Sequence, residues 1–139
     1  MVDANAEVLQ AGDFNYLAIA NPKLAPYGKG AKQVLQHYKL WGSLGAKLVR
    51  GENISQAYHF VNSKNAELGF IAYSQIKKPD HKIVGSYYLV PQSIYEPIRQ
   101  QAVLLTSGKV ARDFFTFLKG NTARAIIKSF GYGIEVDAG

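Results

Sequence analysis

Two short stretches of this chain could hold an anion without any charged side chain: Ala25-Pro26-Tyr27-Gly28 and Gly51-Glu52-Asn53-Ile54. Each joins a strand or turn to a glycine and then to apolar residues at helical spacing. The start of a helix offers unpaired amides and about half a positive charge, so it favours anions. Two such ends that converge could grip a compact oxyanion, because charge-assisted hydrogen bonds contribute roughly 1.5–3 kcal/mol each. Asn53 suits the N-cap of the second helix, since its side chain can accept from an orphan amide. Ordinary helix caps have the same pattern, however, and almost every α/β domain has helix starts. Spacing alone leaves both readings open.

Arrangements for catalysis are poor, and an enzyme is not expected. His37, His59 and His81 form no i, i+4 pair and have no carboxylate at ligand spacing, so no metal site is expected. Ser55, Ser63 and Ser74 lie in no nucleophile elbow. Gly28-Lys29-Gly30 lacks the further glycine of a dinucleotide loop and the Lys-Ser/Thr pair of a P-loop. With no cysteine, disulfides, thiolate sites and Cys nucleophiles are excluded. The formal net charge is +6, but the basic residues are scattered. The densest group, Lys77-Lys78 with Lys82 beside Pro79-Asp80, reads as a solvated turn, and no nucleic-acid partner is expected.

The elements that would position the two stretches follow from periodicity. Phe14 to Ala20 (FNYLAIA) reads as a buried strand. A helix follows Pro26, with Ala31, Val34, Leu35 and Tyr38 on one face. Trp41 to Ala46 suggests a helical turn and Lys47 to Arg50 a short strand. The second helix carries Ile54, Ala57, Tyr58 and Val61. Leu68 to Tyr73, Val84 to Val90 and Ile98 to Leu105 are further strand candidates. Two helices close the chain: one carries Ala111, Phe114, Phe115 and Leu118, the other Ala123, Ile126, Ile127 and Phe130. Asn121 is placed to cap the second of these, and Gly131 to stop it. Strands alternating with helices argue for an α/β fold with a parallel or mixed, covered sheet.

At 139 residues, 47% of them hydrophobic and 19% charged, the chain can form one domain with a core or one lobe of something larger. No apolar run approaches the ~20 residues of a membrane span. Met1 to Asn5 has neither the basic nor the apolar region of a signal peptide, so an exported protein would have lost its signal, or the gene begins further upstream.

Taken in order, LAIANPKLAPYG (17–28), NISQAY (53–58), LGFIAYSQ (68–75), PIRQ (97–100) and the stretch from Ala123-Arg124 to Gly131-Tyr132 resemble the periplasmic molybdate-binding proteins that feed ABC importers. The resemblance implies a periplasmic-binding-protein-like fold, with one nearly complete lobe and a remnant of the second. Residues 13–92 match the inserted α/β lobe; 1–12 and 93–139 match hinge segments and the remnant, whose first half is missing. It also implies capture of molybdate or tungstate as a tetrahedral oxyanion, without a cofactor, for delivery to a membrane permease, in the periplasm.

Two contacts carry over by the same resemblance: the backbone amides of Tyr27 and Ile54, supported by Gly28 and Asn53. Some members add a tyrosine hydroxyl from the strand at LGFIAYSQ. That position falls on Ala72, with Tyr73 one residue on, and a one-residue shift on a strand turns a side chain to the other face. Tyr73 thus stands at the margin of the set. With half the ligand shell missing, the alternative is an isolated structural lobe without tight binding. The helices beyond Ser93 would lack the strands they normally cover. They would then either self-associate as a homodimer through residues 93–139 or fold back onto the lobe.

Overall fold

The computed structural model describes Val2 and residues 7–134. At its centre is a parallel sheet of three strands, β1 (Leu17–Ala20), β2 (Leu48–Gly51) and β3 (Leu68–Gly69), in the order β2-β1-β3. Leu17 pairs with Leu48 on one side and Leu68 on the other. A central parallel strand is covered on every side, and the unbroken apolar run LAIA meets that demand: none of its four residues is more than 1% exposed. The strand begins later than the apolar run suggests. Phe14 is buried, but its amide bonds Gly12 in a turn rather than a ladder.

The connections are helical. After α1 (Glu7–Ala11) and β1, α2 (Pro26–His37) leads to β2, and α3 (Ile54–Asn62) leads to β3. Pro26 sits in the first turn of α2, where a missing N–H costs nothing. Ala31, Val34 and Leu35 are buried, as the spacing predicts, and Tyr38 is the half-buried C-cap. A turn at 41–44 and a 3-10 helix, Gly45–Lys47, precede β2. Leu9, Phe14, Leu17, Ile19, Ala31, Leu35 and Leu44 form the core, with Trp41, Leu48 and Phe70 packed against it. Neither α2 nor α3 stops at a glycine. Lys39 and Lys64 take the left-handed conformation just past the C-caps, at φ 60 and 61.

Several expected strands are shorter or missing. β3 is only Leu68–Gly69; Phe70 still bonds Ala18, but Tyr73 opens the short helix α4 (Tyr73–Ile76). The cause is local: the Gln75 side chain accepts from the Ala72 amide at 2.9 Å and turns the backbone into a helix. Val84 to Val90 and Ile98 to Leu105 form no strands among the described residues, since no neighbouring strand offers them a ladder. Val84 is 96% exposed and Leu105 91%.

The chain ends in a helical hairpin, α5 (Lys109–Lys119) and α6 (Asn121–Ser129), whose helices pack on each other. Its apolar periodicity is as expected, but its apolar face is uncovered: α5 buries no residue, α6 only Ala123, and Phe114 and Ile126 are exposed. The exit of the hairpin does meet the lobe, where Gly131 lies against the Tyr73 ring and the Tyr132 hydroxyl accepts from Ser74 at 2.9 Å, while Phe114 and Ile126 stay uncovered. Asn121 does not cap α6. Only Gly120 separates the two helices, so the chain enters α6 one position early, with Gly120 at the N-cap and Asn121 already helical. Gly131 does stop α6, at φ 86, where a Cβ would also strike the Tyr73 ring at 2.5 Å.

Candidate anion-binding site

β1 and β2 are parallel neighbours, so the helices that follow them both begin at the carboxyl edge of the sheet. Ligands of open α/β sheets collect outside that edge. The two turns are tied together there, the Asn21 amide donating to the Gly51 carbonyl at 2.7 Å. Glycine lets each helix sit close to its strand. A Cβ on Gly28 would run into the Ala20 carbonyl oxygen and lie 2.6 Å from the Asn21 carbonyl carbon. On Gly51 it would lie 2.8 Å from the Ala57 nitrogen.

The order of helical hydrogen bonds marks which amides are spare. Lys29 N–H donates to the Ala25 carbonyl at 3.1 Å, so the Tyr27 and Gly28 amides lie in the first turn of α2, ahead of that i→i−4 bond. In α3, Ala57 N–H donates to Asn53 at 3.2 Å, and Gln56 N–H donates to the Asn53 side chain at 3.0 Å. Asn53 is thus the N-cap expected of it. The Gln56 side chain reaches back to accept from Glu52 N–H at 2.7 Å, much as in a capping box. Ile54 and Ser55 are left at the tip of the helix.

Tyr27 and Gly28, with Asn53 and Ile54, therefore lie at helix starts on one edge of one sheet. Tyr73 does not join them as a strand residue. It is the first residue of α4, and its ring lies 5.7 Å from that of Tyr87. The Tyr27 phenol is held above its ordinary pKa chiefly by burial, then by Tyr132 and Tyr95, with a hydrogen bond from Gln100 acting the other way. It is neutral near pH 7 and adds no charge at the edge.

Sequence reasoning missed Gln75 and Tyr132. Gln75 donates to the Ile54 carbonyl at 3.2 Å, and Ser74 donates to the Tyr132 hydroxyl at 2.9 Å. A Gln three residues past a cap was a legible signal, but Ala72 at the cap position hid it. Nothing in the sequence pattern marks Tyr132. The segment returning from the sheet is fixed to α2, where Lys29 pairs with Glu96 at 2.6 Å and Gln33 accepts from Glu96 N–H at 2.9 Å. Among the described residues, no three His, Cys, Asp or Glu side chains cluster as metal ligands.

The family model for bacterial extracellular solute-binding proteins matches residues 2–133, and the chain belongs to that family. Its relatives include the molybdate-binding protein ModA of Azotobacter vinelandii, 47% identical over 96% of this chain and 54% of that protein. ModA of Rhodobacter capsulatus is 44% identical over 96% of this chain and 53% of its own. In three dimensions the chain matches the Azotobacter vinelandii periplasmic molybdate-binding protein with a TM-score of 0.90 at 40% identity, covering 97% of this chain and 61% of that one. A substrate-binding domain of a putative molybdenum ABC transporter from Clostridium difficile shares the fold, at TM-score 0.66 and 24% identity. The fold is therefore α/β, of the periplasmic-binding-protein type. The family and these relatives are named for solute binding. The chain spans about half the length of the curated relatives it matches.

Proposed function

We propose that this chain is the lobe-bearing part of a substrate-binding component of a molybdate or tungstate ABC importer, acting in the periplasm. The observation that carries this reading is the delivery of two helix starts, that of α2 at Tyr27 and the Asn53-capped one of α3 at Ile54, to one carboxyl edge of the sheet. The backbone amides of Tyr27 and Ile54 donate to the oxyanion, Gly28 lets α2 approach its strand, and Asn53 aligns α3. No cofactor takes part and no bond is made or broken. The partners are the anion and a membrane permease. No described helix is long and apolar enough to cross a membrane itself.

Binding by this chain alone is expected to be weak. Two amides at ~1.5–3 kcal/mol each give at best millimolar-scale dissociation once association entropy is counted. Calorimetry with molybdate, against chloride as control, tests this: weak saturable heat supports the reading, and no molybdate-specific heat refutes it.

The apolar face of α5 and α6 also needs cover, and we assign that role to a second copy, in a homodimer through residues 93–139, of which 135–139 lie outside the described residues. Sedimentation that rises with concentration above the 15.3 kDa monomer supports the dimer. A concentration-independent monomer contradicts it.

A further inference from the structure

Gln75 lies outside the pair of amides assigned to the anion, yet its side chain joins the loops that surround them. Its Oε1 accepts from Ala72 N–H at 2.9 Å, and its Nε2 donates to the Ile54 carbonyl at 3.2 Å. Both bonds are partly buried. Ala72 ends the loop leaving β3, while Ile54 opens the helix that follows β2. Those strands are not neighbours, because β1 runs between them. One side chain therefore bridges the loops of the two outer strands past the end of the central one.

We propose that Gln75 is a positioning residue for the oxyanion site, fixing the direction of the first turn of α3. The inference rests on the reading of the site given above. The carbonyl that Gln75 holds belongs to the peptide whose N–H is that of Ser55. A donor on that carbonyl polarises the peptide and strengthens its N–H as a donor. Gln75 thus recruits the Ser55 amide beside that of Ile54. The chemistry also explains the residue type. A neutral amide offers a donor and an acceptor on separate atoms without bringing charge to the site. A glutamate could not donate to Ile54 and would place a negative charge close to the anion, and a lysine could not accept from Ala72.

The test is amide-resolved NMR of the 139-residue chain titrated with sodium molybdate. In the unsubstituted chain the Tyr27, Ile54 and Ser55 amides move together with one midpoint. Gln75→Met removes both hydrogen bonds. It should weaken binding about three- to tenfold, as expected for a net hydrogen bond. At saturation the Ile54 and Ser55 shifts should shrink, while that of Tyr27 is kept. Gln75→Glu retains the acceptor for Ala72, so α4 stays capped even if the Met variant loosens the fold, and it should show the same asymmetric loss. Unchanged midpoints and shifts in both variants overturn the inference and leave the site standing. An equal loss at Tyr27 and Ile54 marks general loosening and also overturns it. If the unsubstituted chain shows no shift at either residue, the site itself falls, and the inference with it.

Discussion

Replacing Gly28 with alanine perturbs the contact that seats α2 on the end of β1. The added Cβ would run into the Ala20 carbonyl oxygen and lie 2.6 Å from the Asn21 carbonyl carbon and 2.7 Å from that of Ala20. Ordinary contact begins near 3.4 Å. All three neighbours are backbone atoms of a fully buried strand and its exit turn, so no side chain can swing aside. Relief requires α2 to shift by most of an ångström, against a core in which Ala31 and Leu35 are already packed. Overpacking of this kind costs about 1–3 kcal/mol, and the rigidity of the neighbours points to the upper part of that range. For a domain of this size, each kcal/mol lowers Tm by roughly 2–8 °C. Thermal unfolding of Gly28→Ala beside Gly42→Ala, where a Cβ meets nothing within 4 Å, gives the comparison. A Gly28→Ala melting point equal to that of Gly42→Ala would refute the seating of α2 on Ala20.

Asn53→Ala should cost about 1 kcal/mol through loss of the N-cap; a denaturant midpoint like that of the unsubstituted chain would count against the cap. Lys39→Gly should stabilise by about 1 kcal/mol, because Lys39 takes a left-handed conformation that an L residue adopts at a cost; a lowered melting point would contradict this. Glu67 is held below its ordinary value of 4.5, chiefly by the Tyr16 amide and then by the Asn15 side chain. A depressed folded value means that its stabilising effect is complete above 4.5 and is lost as pH falls through the lower, folded value. Glu67→Gln should therefore flatten the fall of Tm with acid, and an unchanged acid slope would remove Glu67 from the account.

Much of the lobe was legible because its signals are local. LAIA between turn residues, the apolar stripe of Ala31, Val34 and Leu35, and the Asn53 cap each need only a few neighbours. The two helix starts of the candidate site were legible for the same reason, since a helix start after a strand is written in consecutive residues. Val84 to Val90 and Ile98 to Leu105 have strand composition, but pairing depends on a neighbour that their own residues cannot specify. The limits of β3 and the place of Tyr73 turned on a single side-chain bond, from Ala72 to Gln75, which period-two alternation does not encode. The ends of α2 and α3 carry no glycine signal, because Lys39 and Lys64 take up the turn.

The central claim is that an oxyanion is held by the starts of α2 and α3. Its most direct test is the anomalous signal of molybdenum in crystals soaked with molybdate above its dissociation constant. The account predicts one principal peak at the carboxyl edge of the sheet, with molybdate oxygens about 2.7–3.2 Å from the backbone nitrogens of Tyr27 and Ile54. A principal peak elsewhere, with both nitrogens out of reach, would contradict it.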